Sequence, residues 1–272
     1  MTVYSIYHFW DHLVRNKILF LGNIKLDEFK FDISMLSCNN VGVFPDLAIK
    51  LNSERSLFTG GELIELKDSK SYVISSFNST IPTGKKNIRK LIRSEKGSIF
   101  LQMKKAGDDI FSLDERDVYY LVRGRRGNHQ KICLVHGSFF ETIDVKELIS
   151  RSFAQVLKEK DISEEDKERL EAIFSEQEDF SRVRNVDKAS VKLRFRILTE
   201  VKPEGNILDL RHYPEITDDS LNFVVPYHSD DEKLAVIQKM EVVVGKNGMK
   251  KFKIFPLKHP LNGWFLVFQT NL

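Results

Sequence analysis

The chain has 272 residues, of which 42% are hydrophobic and 30% are charged, and its formal net charge is +3. This composition is typical of a globular protein with one large core, or with a main domain and a smaller one. A net charge this small does not by itself indicate nucleic-acid binding. Two cysteines are too few for a four-cysteine zinc site and argue against a disulfide framework, which favours a reducing compartment.

The first part of the sequence predicts a helix followed by strands. Residues 4–18 carry apolar side chains at helical spacing. Residues 41–51 and 61–67 have the pattern of strands, and residues 71–77 predict a continuation or a third strand. A helix is predicted from Thr83 to about Glu95.

The middle of the chain predicts a hairpin and then two helices. Residues 118–123 and 131–135 have the pattern of paired strands. The second helix is expected to start at residues 163–166, where a serine and an acid form a capping box.

Strand signals dominate after residue 188. They include residues 191–198 and 242–244, and the dipeptides Asn247-Gly248 and Asn262-Gly263 each predict a hairpin turn. These signals predict a core region over residues 1–187 and a β-rich region over 188–272, or else one continuous fold. No apolar segment is long enough to cross a bilayer, and the signal-peptide pattern is absent, so we expect a cytoplasmic protein without a membrane partner.

A short stretch carries the chemistry. Pro45-Asp46 is followed by Glu65-Leu66-Lys67, with a turn between two predicted strands. Side chains alternate along a strand, so Glu65 and Lys67 share one face. Two carboxylates beside an ammonium group can hold Mg²⁺ against a phosphate, and the Leu66 carbonyl could be a third ligand. Lys67 would orient or deprotonate a water molecule, or neutralise developing charge.

Two other interpretations of this stretch stay open. Asp68-x-Lys70 also fits an acid-x-lysine pattern, but it lies at a polar strand end with the opposite alternation. Alternatively, Asp46 is a turn residue after a proline, and Glu65 and Lys67 are ordinary exposed charges.

The Pro45-Asp46 and Glu65-Leu66-Lys67 motifs resemble those of PD-(D/E)xK nucleases, particularly Type II restriction endonucleases. The resemblance covers the chain from Phe44 to Lys67. It implies an α/β (α+β) fold with a central mixed β-sheet flanked by helices, magnesium-dependent cleavage of double-stranded DNA, and a homodimer. It places the metal-binding acids at Asp46 and Glu65 and the lysine at Lys67. A further acid often comes from the first helix in this family, and Asp11 and Glu28 are candidates.

Polar and basic segments beyond the motif are candidates for DNA contacts. A basic run begins at Gly84, where helix amides would add positive charge for a phosphate. A second candidate is the arginine-rich tip of the predicted hairpin, and a third is a small polar loop, although plain solvated segments are the alternative for each. The candidate DNA-binding residues are Ser76, Asn78, Lys85, Lys86, Arg89, Arg123, Arg125, Arg126 and Asn128.

Together these patterns predict a Type II restriction endonuclease that requires Mg²⁺ and has a cognate DNA methyltransferase as its genetic partner. A structure-selective repair or junction nuclease of the same fold is one alternative. A DNA-binding protein without catalysis is another, and an interaction protein that uses the β-rich end is a third.

Overall fold

The computed structural model describes residues 36–39, 44–51, 60–78, 81–92, 94–141, 143, 145–158, 162–175 and 198–272. The helix predicted over residues 4–18, the candidate acids Asp11 and Glu28 and the proposed boundary near residue 188 lie outside these residues. The described residues form an α/β protein with a mixed sheet.

Eleven strands occur in the described part of the chain. They are β1 (Leu36–Asn39), β2 (Leu47–Ile49), β3 (Leu63–Ser69), β4 (Ser76–Asn78), β5 (Lys85–Asn87), β6 (Glu115–Arg126), β7 (His129–His136), β8 (Leu198–Glu200), β9 (Ser220–Tyr227), β10 (Lys253–His259) and β11 (Gly263–Asn271). Five helices accompany them: α1 (Ile88–Leu91), α2 (Ser98–Ala106), α3 (Val145–Lys158), α4 (Glu164–Ser175) and α5 (Asp230–Met249). Two short 3₁₀ turns cover Gly137–Phe139 and Pro203–Gly205.

Nine of these strands form one mixed sheet in the order β1-β2-β3-β6-β7-β9-β11-β10, with β5 paired to the start of β6. The pairs β3–β6 and β7–β9 are parallel, and the other pairs are antiparallel. A parallel pair needs a crossover connection, and α2 lies in the connection between β3 and β6. The C-terminal strands therefore belong to the same sheet as the strand that carries Glu65.

Apolar side chains cover both faces of this sheet. On one face, a cluster around Ile64 and Leu121 and a second cluster around Val225 and Phe268 are buried, and α5 packs on the second. On the other face, Leu63 and Val122 are fully buried with the valines of the neighbouring strands. Burial on both faces fixes the register of β3, because a slip of one residue would exchange its two faces.

A second compact unit contains β4, β8, α3 and α4. Within it, β4 pairs antiparallel with β8. The predicted start of α4 is confirmed, since Ser163 Oγ accepts the Asp166 N–H at 3.2 Å. The Asp166 carboxylate contacts the Ser163 hydroxyl at 2.7 Å, so the reciprocal half of the capping box goes through the side chain.

The helix predicted from Thr83 to Glu95 is wrong. Lys85–Asn87 forms β5 instead, and the Gly84 carbonyl accepts the Val118 N–H at 2.9 Å. Among the described residues of this range, Ile88–Leu91 alone is helical, and the longer helix α2 starts at Ser98. Pairing with β6 overrides the local helix pattern, so helix amides are not available for a phosphate at Gly84–Asn87.

The C-terminal region is less β-rich than its sequence pattern indicates. The hairpin predicted at Asn262-Gly263 is confirmed as β10 and β11, although the turn covers residues 260–262 and Gly263 is the first residue of β11. Residues 242–244 and Asn247-Gly248, however, lie within α5, whose helical backbone is interrupted by a kink at Gly245, where φ is 71°. The missed signal is the helix cap, in which Ser229 Oγ accepts the Glu232 N–H at 3.2 Å and Glu232 accepts the His228 N–H at 2.7 Å.

Other predicted strands shift at their ends. The strand predicted over residues 41–51 is confined to Leu47–Ile49 among the residues described there, and the one predicted over 71–77 begins only at Ser76. The hairpin predicted over 118–135 is confirmed as β6 and β7. No helix in the described ranges has both the length and the apolar character needed to cross a membrane.

Candidate active site

The site begins where β2 separates from β3. Their pairing includes Leu47 opposite Ile64, so continuing the register would place Pro45 opposite Leu66. Proline has no N–H to donate, so the backbone ladder cannot continue there. The Asp46 side chain provides the acceptor in place of the β2 backbone, since its Oδ2 accepts the Leu66 N–H at 2.8 Å.

The Leu66 carbonyl lies at the same edge of β3. The N–H and C=O of one strand residue point toward the same neighbouring strand, so this carbonyl faces the side from which Asp46 approaches. Pro45 cannot donate a hydrogen bond to it. The sequence Pro-Asp therefore brings a carboxylate to this edge and removes the backbone donor that would otherwise compete for a strand carbonyl.

Glu65 and Lys67 lie together, as their alternation predicts. Lys67 Nζ donates to Glu65 Oε1 at 2.9 Å. Glu65 is only 7% exposed. Its Oε2 has no hydrogen-bond partner among the described residues. A buried carboxylate oxygen without a partner is costly, which marks this position as one that a cation would stabilise.

The pKa of Glu65 reflects these contacts. Burial raises it, the hydrogen bond and charge of Lys67 lower it, and the neighbouring Asp46 carboxylate raises it again. The net direction is upward. The two carboxylates therefore act on each other as like charges, and a cation placed between them would offset this repulsion.

These residues fit a magnesium ion better than a metal with a full set of protein ligands. The described residues contain no cluster of three or more histidine, cysteine, aspartate or glutamate side chains suited to a metal. Mg²⁺ keeps several waters and is usually bound by one or two carboxylates together with substrate phosphates. Asp46, Glu65 and the Leu66 carbonyl supply oxygen donors of that kind.

The alternative acid-x-lysine pair, Asp68 and Lys70, is arranged differently. Asp68 accepts hydrogen bonds from Arg123 Nε at 2.8 Å and from Arg125 Nη2 at 3.1 Å. These arginines lower the pKa of Asp68. A carboxylate already held by two guanidinium groups, on the opposite face from Glu65, is a poor second candidate for the metal site.

The basic residues around β5 lie in varied surroundings. Lys85 is exposed, whereas Lys86 is partly buried and its Nζ lies 5.1 Å from the centroid of the Phe44 ring. Lys86 therefore approaches the segment that carries Asp46. Arg89 lies over the Phe111 ring at 4.9 Å and pairs with Asp114 at 3.7 Å.

The arginines of the β6–β7 hairpin are also engaged. Arg123 and Arg125 bind Asp68, and Arg126 lies over the Tyr72 ring at 4.8 Å. Asn128 is exposed in the turn. All three arginines therefore contact other side chains, and Arg123 and Arg125 bind a carboxylate of β3.

The two remaining candidates belong to the second compact unit. Ser76 and Asn78 are the ends of β4, where Ser76 pairs with Glu200 and Asn78 with Leu198. Their backbones pair in the two-stranded sheet of that unit.

Sequence patterns missed Glu62, which is 8% exposed and has one carboxylate oxygen without a partner among the described residues. Its other oxygen accepts the Gly60 N–H at 2.9 Å. Burial raises the pKa of Glu62 to about 7, with the Gly60 and Glu62 backbone amides opposing and Asp117 adding to the increase. The signal in the sequence was a glutamate directly before an apolar strand, which does not distinguish burial from exposure.

Comparison of the chain with protein-family models, with curated proteins and with solved structures finds no significant match, so the arrangement of these residues is the basis for assigning a function.

Proposed function

We propose that the protein is a magnesium-dependent deoxyribonuclease that cuts double-stranded DNA at a specific short sequence, as Type II restriction endonucleases do. The observation that carries this proposal is the convergence of Asp46, Glu65 and Lys67 at the edge where β2 leaves β3. An antiparallel β1–β2–β3 set, followed by a crossover to the parallel strand β6, also agrees with the mixed sheet expected of the PD-(D/E)xK core.

The residues of the site would have separate roles in metal binding and in catalysis. Asp46, Glu65 and the Leu66 carbonyl would hold the metal ion, which when bound would polarise the scissile phosphate and lower the pKa of a water ligand. Glu65 already fixes the Lys67 ammonium group at 2.9 Å. Lys67 can then donate hydrogen bonds to the attacking water or to a phosphate oxygen and offset charge that develops there.

Substrate binding would draw on the basic residues near this edge. Lys86 approaches Phe44, and the hairpin arginines lie on the strand next to β3. Contacts of this kind position the phosphate backbone, whereas sequence is read from base edges in the grooves. The proposal includes a homodimer, since a two-fold protein would cut both strands of a symmetric site, and a cognate methyltransferase that protects the host site.

Plasmid cleavage tests the function directly. The wild-type protein with Mg²⁺ should give discrete DNA fragments, and Asp46→Ala and Asp46→Asn should each reduce cleavage at least a hundredfold. The asparagine variant keeps an acceptor for the Leu66 N–H, so it separates lost charge from lost structure. Exposed Asp109→Ala is the matched control and should cut normally.

Binding measured with Ca²⁺ in place of Mg²⁺ completes the test. Both Asp46 variants should keep most of their affinity for DNA, because the aspartate serves chemistry more than docking. Undiminished cleavage by the Asp46 variants would show that Asp46 does not belong to the catalytic site. Cleavage confined to branched DNA would favour a repair or junction nuclease, and salt-dependent binding without any cleavage would favour a non-catalytic DNA-binding protein.

A further inference from the structure

Two guanidinium groups converge on one carboxylate at the outer end of β3. Asp68 lies opposite Arg123 in the parallel β3–β6 register, and Arg125 is two residues further along the same face of β6. Arg123 Nε donates to Asp68 Oδ1 at 2.8 Å, and Arg125 Nη2 donates to Oδ2 at 3.1 Å. The side chains are 49% exposed for Asp68, 41% for Arg123 and 45% for Arg125.

Folding stability does not explain this arrangement. Exposed ion pairs contribute roughly 0–1 kcal/mol at most, because water and salt screen them and the side chains lose freedom. The geometry instead resembles a ready-made anion site. The planar guanidinium fork binds carboxylate and phosphate oxygens in the same manner, and here each arginine holds a different oxygen of one anion.

We propose that Arg123 and Arg125 form a docking site for a backbone phosphodiester of nucleic acid, and that Asp68 occupies this site in the free protein as an internal competitor. The ligand is identified as nucleic acid through the proposed function, on which this inference rests for its substrate. The carboxylate holds both arginines in one place, so that a phosphate arriving there meets a preformed pair of donors.

The position of the site links docking to the catalytic strand. Asp68 directly follows Lys67, and adjacent strand residues are separated by about 3.3 Å along the strand. Alternation directs Asp68 to the face opposite Lys67. A phosphate held by Arg123 and Arg125 would therefore lie on the face of β3 opposite the proposed catalytic lysine, one residue further toward the end of the strand.

Competition by Asp68 has a measurable consequence. A carboxylate within a few ångströms of an incoming phosphate repels it. Because these side chains are half-exposed, the dielectric is close to that of water, and one such charge changes affinity by up to about tenfold. Asp68→Asn removes the charge and keeps an oxygen that can accept a hydrogen bond from either arginine. This variant should therefore bind DNA about tenfold more tightly than the wild-type protein.

The experiment is fluorescence anisotropy of a labelled 20-base-pair duplex in EDTA, where cleavage does not contribute. It compares the wild-type protein with Asp68→Asn, with the double variant Arg123→Gln/Arg125→Gln, and with a triple variant that combines all three changes. Glu165→Gln on α4 is the matched control, because Glu165 pairs with Arg169 at 3.5 Å and its substitution makes the same change in net charge.

We expect tighter DNA binding by Asp68→Asn and unchanged binding by the control Glu165→Gln. We also expect weaker binding by the double arginine variant, with a salt slope reduced by about one because the two arginines would hold one phosphate. The triple variant should show no gain over the double variant. Inorganic phosphate at millimolar concentration should compete only weakly, whereas strong competition would identify a free phosphate as the ligand and overturn the nucleic-acid assignment.

Three results would overturn the inference: unchanged or weaker binding by Asp68→Asn, an equal gain in Glu165→Gln, or a gain that persists without the arginines. Absence of duplex binding in every variant would do the same. Cleavage is measured separately. If Asp68→Asn binds DNA more tightly but the wild-type protein never cuts DNA, the docking site is supported and the nuclease function is contradicted.

Discussion

Two sets of buried or partly buried polar side chains lie on one face of the large sheet, and they differ in how completely they are hydrogen-bonded. One is the carboxylate group, Asp46, Glu65 and Lys67. The other is the amide network, which consists of Lys131, Ser220, Asn222 and Gln269. Strand registers through β6, β7, β9 and β11 place Glu65 and the network residues on the same face.

The amide network is satisfied within itself and with the backbone. Gln269 Nε2 donates to Asn222 Oδ1 at 2.8 Å and to the Glu215 carbonyl at 2.9 Å. Asn222 Nδ2 donates to Ser220 Oγ at 2.9 Å and to the Ile132 carbonyl at 3.3 Å. Lys131 Nζ donates to the Ile216 carbonyl. Ser220 Oγ donates to the Thr217 carbonyl at 2.6 Å. The bonds from Lys131, Ser220 and Gln269 thus anchor residues 215–217 to β7, β9 and β11, which is a structural role.

The carboxylate group leaves one buried oxygen of Glu65 without a partner among the described residues. A polar group buried with all its hydrogen bonds made stabilises a particular fold, whereas one left unpaired costs free energy. The contrast teaches that burial alone does not mark a functional residue. An unpaired buried carboxylate that lies beside both a second carboxylate and an ammonium group is a better indicator, because those groups together can bind a cation and a phosphate.

Glu65→Gln should give the largest effect on activity among the variants that test this difference between the two sets. Cleavage should fall at least a hundredfold, because an amide oxygen is a weaker ligand for Mg²⁺ than a carboxylate. Thermal stability should stay the same or rise, because no charge remains to be buried. Steady-state cleavage and a thermal melt measure the two quantities. Loss of stability together with activity would mean that Glu65 serves the fold, as the amide network does.

Glu62→Gln is the next test, since Glu62 is also a buried carboxylate with an unpaired oxygen but lies away from Lys67. Burial raises its pKa from the ordinary 4.5 to about 7. The folded protein therefore binds this proton more tightly than the unfolded chain, and the stability that it contributes is present below pH 4.5 and is lost as the pH rises through 7. Glu62→Gln should stabilise the protein at pH 8, by at most about 3 kcal/mol, and only slightly at pH 5.

Urea unfolding at pH 5 and pH 8 measures this difference, with the exposed Glu115→Gln as the matched control. Cleavage by Glu62→Gln should stay near the wild-type rate. A large loss of cleavage would break the comparison, because unpaired burial alone would then identify a functional acid.

Local patterns predicted the parts of the site that lie within one strand. Alternation along β3 was enough to place Glu65 and Lys67 on one face, because the period of a strand is set by its own backbone. The hairpin at Asn262-Gly263 was predictable for the same reason. The partner of Asp46 was not predictable in this way, since its bond to the Leu66 N–H depends on where β2 stops pairing with β3.

Longer-range contacts explain the failures. Lys85–Asn87 became a strand because β6 supplied a partner, although its local sequence favours a helix. The bonds of Arg123 and Arg125 to Asp68 join positions more than fifty residues apart, and no local signal predicts them. The helix α5 is a different case, because its capping residues Ser229 and Glu232 were visible in the sequence and outweighed by a short valine run.

Asn222→Ala gives the smallest expected effect and tests the other side of the comparison. Removal of the amide takes one buried hydrogen bond from each of the Ile132 carbonyl, the Ser220 hydroxyl and Gln269 Nε2, so the protein should lose about 2 kcal/mol of stability. Urea unfolding measures the loss, and the exposed Gln238→Ala on α5 is the control. The fraction that stays folded should cleave DNA at the wild-type rate, because the network holds residues 215–217 and not the metal. A change of stability below about 0.5 kcal/mol would show that water replaces these bonds readily, and the distinction between a satisfied network and an unpaired carboxylate would then lose its energetic basis.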